Sequence, residues 1–294
     1  MKVLLVGKNG QVGWELQRTL APFGEIAATG SHELDLSDTK AIRRIVREIK
    51  PRIIVNAAAY TAVDRAEEEP ELAMAVNGIA PGVLADEAAR LGAVMVHYST
   101  DYIFDGKKGL PYLEEDTPNP INVYGKTKLA GEWAIRETGA SHLIFRTSWV
   151  YGLRGKNFLL TILRLAREKE ELNVVQDQVG TPNWCATLAE ATAGVLMSEH
   201  NSIIKDKSLS GVYNLSSSGE TSWFEFARQI LAADPRKEEQ ACRKINPITT
   251  AQYPTTAKRP LYSVLGTHKI QSTFGVKIGS WDDCLREAFL CHRT

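Results

Sequence analysis

The first half of the chain alternates short apolar runs with amphipathic segments, and this alternation limits the available folds more than any other feature. The runs KVLLVG, PRIIVNAAA and AVMV are short and lack a polar residue at every second position. Strands that are apolar on both faces are typical of parallel sheets that helices cover on both sides. The sequence therefore predicts an α/β fold with a doubly wound, Rossmann-like parallel sheet.

The periodic segments between these runs predict helices, of which four lie in the first half of the chain. Ser37 is predicted to cap the second helix, and Pro81 is predicted to disturb the third. The four segments are QVGWELQRTLAPFG, SDTKAIRRIVREIK, PELAMAVNGIAPGVLADEAARLG and VYGKTKLAGEWAIRETG.

After Gly152 the alternation is less regular, which predicts a smaller α/β lobe for substrate binding. We expect residues 1–152 to form a dinucleotide-binding domain that segments from the second half complete. Residues 153–294 are then mainly the substrate-binding lobe. Residues 246–263 are rich in Pro and Thr and predict an extended loop.

Charge and hydropathy narrow the partners that this chain is expected to have. Lys and Arg number 35, as do Asp and Glu, so the net charge is zero. A neutral chain favours neither nucleic acid nor an anionic membrane surface. No apolar run approaches the roughly 18 residues of a membrane-spanning helix, and the N-terminus does not resemble a signal peptide. We therefore expect a cytoplasmic protein, and its four cysteines form no CxxC pair and are expected to be reduced thiols.

A glycine-rich segment, VGKNGQVG, directly follows the first strand and opens the first helix. Its glycines are Gly7, Gly10 and Gly13, in the spacing GxxGxxG. Gly7 permits a tight turn, Gly10 leaves room for a pyrophosphate, and Gly13 lets the helix approach the strand. The N–H groups and dipole of the helix N-terminus favour the phosphates. Between a strand and a helix, this pattern predicts a dinucleotide site.

The end of the second strand leaves the choice between NADPH and NADH open. A NAD site usually has an acidic residue there, which binds the ribose 2′-hydroxyl. In this chain the segment reads ATGSHE, with Gly30 where the acid is expected and no arginine for a 2′-phosphate. Ser31 and His32 are able to bind either form.

Tyr124 and Lys128 lie four residues apart in a predicted helix and so share one face. A phenol with a pKa near ~10 is a usable acid at neutral pH, and a nearby ammonium lowers that pKa. Ser99 and Thr100 end an earlier strand, where a hydroxyl can hold a carbonyl oxygen. A YxxxK pair alone is more often an ordinary surface pair. Its combination with the glycine loop predicts a ketone-reducing site.

These motifs resemble the extended short-chain dehydrogenase/reductases and, within them, the dTDP-4-dehydrorhamnose reductase family. The resemblance covers nearly the whole chain. The stretches that carry it are GKNGQVGWEL, IIVNAAAYTAVDRAEEEPELAMAVN, VHYSTDYIFDG, NVYGKTKLAGE, LIFRTSWVYG and VQDQVGTPNW. It implies reduction of the C4 ketone of dTDP-4-dehydro-β-L-rhamnose to dTDP-L-rhamnose by NADPH or NADH.

The resemblance also implies roles for particular residues. It implies a catalytic triad of Thr100, Tyr124 and Lys128, with both Tyr124 and Lys128 contacting the cofactor. The other implied cofactor-binding residues are Gly7, Gly10, Gln11, Val12, Gly13, Asp35, Leu36, Ala57, Ala58, Ala59, Tyr60 and Asn77. The implied substrate-binding residues are Val63, Tyr102 and Trp149.

Several of these assignments have alternatives that the sequence leaves open. Asp35 is equally suited to a turn or a helix cap. Arg259 is a candidate for the substrate diphosphate, because guanidinium groups bind phosphate in a bidentate manner, or it is paired on the lobe surface. Asn183 departs from the family pattern, which usually has Thr at this position.

Metal binding and assembly also rest on the resemblance. Some family members use a divalent metal at a dimer contact, which implies a homodimer with Mg²⁺ and with Glu15 and Glu190 as candidate ligands. Solvated surface carboxylates are the alternative for both residues. We predict no metal in the catalytic centre, because the six histidines show no ligand spacing.

Other functions remain as alternatives. Related 4,6-dehydratases carry an acidic residue after the Thr-Asp pair, where this chain has Tyr102, and we reject that activity. A reductase or epimerase of another nucleotide sugar is not excluded. Neither is an NADP-binding regulatory subunit of the methionine adenosyltransferase type, although an intact Thr100, Tyr124 and Lys128 set argues against a purely binding role.

Overall fold

The computed structural model describes residues 1–291 and contains a central parallel sheet with a smaller group of helices and short strands beside it. The strands are β1 (Lys2–Val6), β2 (Glu25–Thr29), β3 (Ile53–Asn56), β4 (Val94–Thr100), β5 (Ser141–Thr147), β6 (Val150–Tyr151), β7 (Glu171–Val175), β8 (Val179–Gly180), β9 (Asn183–Trp184), β10 (Gly211–Asn214), β11 (Thr221–Ser222) and β12 (Lys244–Ile248). The helices are α1 (Gln11–Thr19), α2 (Thr39–Ile49), α3 (Val63–Glu68), α4 (Pro70–Met74), α5 (Ala80–Leu91), α6 (Val123–Glu137), α7 (Phe158–Glu168), α8 (Cys185–Lys205), α9 (Trp223–Ala233), α10 (His268–Phe274) and α11 (Trp281–Cys291).

The central sheet has six strands in the order β10-β5-β4-β3-β1-β2, and every neighbouring pair is parallel. Helices cover both faces of the sheet. Successive residues of an inner strand point to opposite faces and therefore pack with different helices. Leu4 packs with α2 and α5 on one face, whereas Leu5 packs with α1 and α8 on the other. The predicted doubly wound α/β fold is confirmed.

A second, smaller core lies under α7, α9 and α11. It includes Tyr151, Phe226, Ile230, Trp281 and Leu285, all of them buried. The last strand of the main sheet, β10, nevertheless comes from the second half of the chain and pairs with β5. The second half therefore contributes to both cores.

Three local predictions need correction. Asp38, not Ser37, caps α2, because its carboxylate accepts the backbone N–H groups of residues 40 and 41. Residues 244–248 form β12, which pairs with β7, where the sequence predicted only loop from residue 246. The predicted long helix contains a π-helical turn at Ala75–Ile79, so the irregularity precedes Pro81.

Within residues 1–291, no helix combines the length and the apolar character needed to span a bilayer.

The first glycine loop depends on a close approach of α1 to β1. Gly7 has φ 95°, in the left-handed region that favours glycine, and a Cβ there would lie 2.7 Å from the backbone nitrogen of Ala58. A Cβ on Gly13 would overlap the carbonyl oxygen of Gly7. The approach predicted from the GxxGxxG spacing is therefore present.

We expect Gly13→Ala to lower the free energy of unfolding by about 1–3 kcal/mol, because the added methyl group forces α1 away from β1. The matched control is Gly194→Ala. Gly194 is exposed within α8, a Cβ there would meet no atom within 4 Å, and alanine should stabilise the helix by about 1 kcal/mol. Urea unfolding measures both variants, and equal stability of Gly13→Ala and wild type would contradict the packing argument.

Candidate active site

Three segments that carry predicted site residues meet at one edge of the sheet. They are residues 7–13 after β1, residues 57–60 after β3 and residues 99–102 at the end of β4. They are adjacent because β3 pairs with both β1 and β4 in parallel register. In open α/β sheets, ligands bind outside this carboxyl edge.

The glycine loop leaves the N-terminus of α1 open. Gly10 precedes the helix, its N–H donates to the Gly7 carbonyl at 3.0 Å, and no side chain among the described residues caps α1. The first N–H groups of a helix have no partner inside the helix and favour an anion. This end of α1 is therefore suited to a pyrophosphate.

The side chains of Gln11 and Val12 face the protein. Gln11 donates to the carbonyl of Val150 at 3.2 Å and accepts from the Asn157 amide at 2.8 Å. Val12 packs on the core below the sheet. These two residues can therefore offer a cofactor their backbone N–H groups, while Gln11 also ties α1 to β6 and α7.

The end of β2 supplies an acidic group that the sequence analysis missed. Glu33 accepts the N–H of Gly30 at 2.8 Å and pairs with Lys8 at 2.6 Å, so a carboxylate and an ammonium lie at this strand end. Asp35 accepts the N–H and hydroxyl of Ser37, which makes it a turn residue, and Leu36 is buried in the core. In the sequence, the signal for this group was Glu33, an acidic residue three positions after Gly30, where the acid was expected.

Residues 57–60 are held by Asn77, which the sequence placed in contact with this loop. The Asn77 amide oxygen accepts the N–H of Tyr60 at 2.8 Å, and its nitrogen donates to the Tyr60 carbonyl at 3.0 Å. Its nitrogen also lies 3.2 Å from the Thr127 hydroxyl in α6. Asn77 therefore links the loop after β3 to the helix that carries Tyr124. Ala57 and Ala58 lie against Gly7.

Thr100, Tyr124 and Lys128 come together where α6 packs against the end of β4. Burial raises the pKa of Tyr124 to about 12, although a hydrogen bond from Thr100 opposes that effect. Burial also lowers the pKa of Lys128 to about 7, opposed by the charge of Glu132. Asn122 caps α6 by accepting the N–H of Gly125 at 2.7 Å, and so fixes the first turn of the helix, which carries Tyr124.

Asp101 is a further buried acid that the sequence analysis did not assign. Its carboxylate accepts from the Thr100 hydroxyl at 3.0 Å, and burial raises its pKa to about 6. A carboxyl group with a pKa close to neutrality beside a phenol is typical of catalytic sites.

A buried ion pair supports the wall of the site behind Thr100. Glu132 and Arg146 are joined at 2.7 Å, and only 1% and 3% of their side chains are exposed. The Ser99 hydroxyl also donates to Glu132, at 2.5 Å. Ser99, one of the two hydroxyl candidates, thus bonds this pair, whereas Thr100 lies beside Tyr124. A Glu and an Arg in otherwise apolar elements were the signal for this pair.

Trp149 adopts an unusual backbone conformation between β5 and β6. Its φ of 44° is uncommon for a bulky residue, and its ring stacks on Trp223 with centroids 3.4 Å apart. Gly180 permits this position, because a Cβ there would lie 2.5 Å from the indole. Trp149 separates β5 from β6.

The other two substrate candidates lie in two segments that both contact α6. The Tyr102 ring contacts the Tyr124 ring edge to face, with centroids 5.7 Å apart. Val63 is the first residue of α3, which α6 also contacts. Tyr102 therefore lies beside the predicted proton donor.

Arg259 is paired in this structure. Its guanidinium donates to Asp64 at 2.7 Å, and Asp64 also accepts the N–H of Ala257 at 3.0 Å. The pair joins α3 to the segment before residue 260. Of the two interpretations of Arg259, the structure contains the paired one, although Asp64 follows Val63 and so keeps the guanidinium beside a substrate candidate.

Asn183, the departure from the family pattern, is fully buried and connects several loops. Its amide nitrogen donates to the carbonyls of Ser148 and Thr181 at 2.8 and 2.9 Å, and its oxygen accepts the N–H of Ser217 at 2.6 Å. These bonds fix the segment that carries Trp149. A threonine, with one hydroxyl, cannot make all of these contacts.

The expected interface metal is not supported. Glu15 and Glu190 both pair with Arg18, at 3.5 and 2.9 Å, so each already has a cationic partner. Residues 1–291 contain no group of three or more His, Cys, Asp or Glu side chains arranged to hold a metal ion.

A Rossmann-like sheet with a buried tyrosine and lysine on a helix at its carboxyl edge is the arrangement of the extended short-chain dehydrogenase/reductases. The family model described as "RmlD substrate binding domain" matches residues 1–292. The dTDP-4-dehydrorhamnose reductase of Burkholderia thailandensis is 48% identical over 284 residues, which cover 96% of this chain and 95% of that protein. This chain therefore belongs to the dTDP-4-dehydrorhamnose reductase family.

Two solved structures support this assignment. A dTDP-4-dehydrorhamnose reductase from Clostridium acetobutylicum has a TM-score of 0.91 and 37% identity, with 100% of each chain covered. The enzyme from Bacillus anthracis, solved in complex with NADP, has a TM-score of 0.87 and 36% identity, with 98% of each chain covered. A nicotinamide cofactor is thus a property of this fold and family.

We expect Arg146→Met to lower the free energy of unfolding by about 3–5 kcal/mol, because it leaves Glu132 buried without a counter-charge. The double variant Arg146→Met/Glu132→Leu should recover most of this loss. Urea unfolding measures both variants.

The control is Arg164→Met, which breaks an exposed pair with Glu168 and should change stability by less than about 1 kcal/mol. The interpretation of the buried pair fails if Arg146→Met and Arg164→Met lose the same stability.

Proposed function

We propose that this protein reduces the C4 ketone of dTDP-4-dehydro-β-L-rhamnose to dTDP-L-rhamnose, with NADPH or NADH as the hydride donor, in dTDP-rhamnose biosynthesis. The observation that carries the proposal is the buried Tyr124 beside Thr100 at the carboxyl edge of the sheet. The relatives named for this reaction match the chain over nearly its whole length.

The dinucleotide fits the first half of the chain. In our proposal, the pyrophosphate lies at Gly7, Gly10 and the first turn of α1, and the nicotinamide lies over residues 57–60 and β4. Residues 1–152 form this domain together with β10 and α8, and residues 153–294 mainly bind the sugar. Homodimer formation and a cytoplasmic location stay predictions of the sequence.

Both nicotinamide nucleotides have a matching group at the end of β2. The carboxylate of Glu33 is an acceptor for a ribose 2′-hydroxyl, and the ammonium of Lys8 is a partner for a 2′-phosphate. Lys8 and Glu33 are partly exposed and bonded to each other, so either can be released for the ligand. We therefore propose that the protein uses both nucleotides.

The reaction adds a hydride to carbon and a proton to oxygen. The bound nucleotide supplies the hydride to the C4 carbon. In our proposal the Thr100 hydroxyl exchanges its bond to Asp101 for one to the carbonyl oxygen, and Tyr124 transfers its phenolic proton to the same oxygen as charge develops there. Because burial raises the pKa of Tyr124 to about 12, the phenol holds its proton at neutral pH until the substrate needs it.

Lys128 then stabilises the phenolate that Tyr124 leaves behind. An ammonium near a phenol lowers its pKa, and a buried site strengthens that interaction. Trp149, Val63 and Tyr102 enclose the sugar, and Arg259 reaches the diphosphate if it exchanges Asp64 for phosphate.

The first experiment mixes the protein with NADPH or NADH and dTDP-4-dehydro-β-L-rhamnose and follows the absorbance of the reduced nicotinamide. We expect oxidation with either nucleotide, dependent on the keto-sugar and absent with dTDP-glucose, which has no ketone. Bound nucleotide without any sugar-dependent oxidation would reject the proposed reaction while leaving the fold assignment intact.

We expect Tyr124→Phe to lower kcat by about 10²–10⁴-fold, because the proton donor is lost. NADPH affinity should stay nearly unchanged, as measured by fluorescence titration. The matched control is Tyr253→Phe at an exposed tyrosine, which should leave kcat unaltered. Turnover of Tyr124→Phe within a factor of about three of the control would remove Tyr124 from the mechanism.

A further inference from the structure

A chain of buried polar side chains lies beneath Lys128, and the mechanism above does not use it. The Asn56 amide nitrogen lies 3.1 Å from Nδ1 of His97, and Nε2 of the same ring lies 3.1 Å from Nζ of Lys128. Asn56 and His97 are fully buried, and Lys128 is 1% exposed. Polar groups this deep in a sheet are retained only with defined partners.

The donors and acceptors in this row of side chains can be deduced from Asn56, the residue farthest from Lys128. The backbone N–H of Ala58 donates to the Asn56 amide oxygen at 3.1 Å. This bond orients the amide, so its nitrogen is the group that faces His97. An amide nitrogen is a donor only, and Nδ1 must therefore accept.

A neutral imidazole carries one N–H, so a ring whose Nδ1 accepts is protonated at Nε2. Burial lowers the pKa of His97 well below its usual value, which keeps the ring neutral. The Nε2–H group then points at Nζ of Lys128. An ammonium has no lone pair to accept it, whereas a neutral amine has one.

The other contact of Lys128 can be made by an amine or by an ammonium. Its Nζ donates to the carbonyl of Tyr98 at 2.6 Å, which uses one of two N–H groups. The second N–H stays available for the ribose or for Tyr124. An ammonium at this place would require Nε2 to accept, and Nδ1–H would then oppose the Asn56 amide unless the bond from Ala58 broke.

We propose that His97, oriented by Asn56, is a positioning residue that offers an N–H donor to Lys128 and thereby favours its neutral amine in the cofactor-free protein. Protonation of Lys128 is then coupled to the tautomer of His97 and to the orientation of Asn56.

The other ionisable groups around the amine do not reverse this preference. Glu132, on the same helix, favours the ammonium, but its carboxylate is bonded to Arg146 of β5. Tyr124 holds its proton, and Asp101, whose pKa burial raises to about 6, directs its carboxylate to the Thr100 hydroxyl. Burial lowers the pKa of Lys128 and so favours the neutral amine, as the N–H donor of His97 does.

The kinetic consequence rests on the proposed function. If the ammonium stabilises the Tyr124 phenolate, kcat/KM for ketone reduction falls as pH rises through the pKa of Lys128. A change that lets Nε2 accept raises this pKa, so activity should persist to higher pH. Structural damage alone would lower kcat/KM at every pH without moving the profile.

The first test needs no substrate and no variant. Nitrogen-15 NMR of histidine-labelled protein distinguishes a protonated from an unprotonated ring nitrogen. We expect His97 to be protonated at Nε2 and unprotonated at Nδ1 at and above neutral pH, with His97→Gln supplying the assignment. A ring protonated at Nδ1 would overturn the proposal, whatever the enzyme assay gives.

The second test changes the acceptor pattern. In Asn56→Asp, both carboxylate oxygens accept, so His97 should donate from Nδ1 and accept at Nε2. In His97→Gln, the amide oxygen can accept from the ammonium. Carbon-13 NMR of the Lys128 Cε should show titration at a pH higher by about one unit in both variants, and the fall in kcat/KM should move with it.

The matched control is His142→Gln. His142 is a buried histidine of β5 that bonds the Ala140 carbonyl and is not linked to Asn56, His97 or Lys128. Its Lys128 titration and pH profile should equal those of the wild type. Thermal unfolding and NADPH titration confirm that each variant is folded. If both Asn56→Asp and His97→Gln are folded and the Lys128 titration stays in place, His97 does not control the amine.

Discussion

The site depends on how closely α6 approaches its neighbours. A Cβ on Gly125 would overlap the carbonyl oxygen of Tyr102, and a Cβ on Gly131 would overlap that of Asn77. At Gly125, α6 therefore lies directly against the segment after β4, and at Gly131 it lies against the helical turn before Pro81. This double contact places Tyr124 and Lys128 between the two cofactor-side loops, and every distance in the site follows from it.

The same close packing explains the electrostatics. It removes water from Tyr124, Lys128, His97 and Asp101. The pKa of each group is shifted in the direction that favours its neutral form. The one fully charged pair behind them, Glu132 with Arg146, is internally neutral.

Much of this was predictable from sequence, because it rests on local patterns. Wholly apolar runs identify buried parallel strands, and GxxGxxG after the first of them identifies the phosphate loop. Tyr124 and Lys128 are one helical turn apart in any helix. The acid at the end of β2 was missed, since Glu33 reaches that position only through the turn at Gly30. β12 was missed because its Pro-rich segment forms a strand only against β7.

By itself the sequence determined the fold class, the dinucleotide loop and the family, because these follow from the periodicity and spacing of residues close in the chain. Only the tertiary structure decided which groups surround Lys128, that Arg259 pairs with Asp64, and that Arg18 pairs with Glu190. Those contacts join residues far apart in the chain. Burial and hydrogen-bond direction, which determine protonation, exist only once the elements have packed.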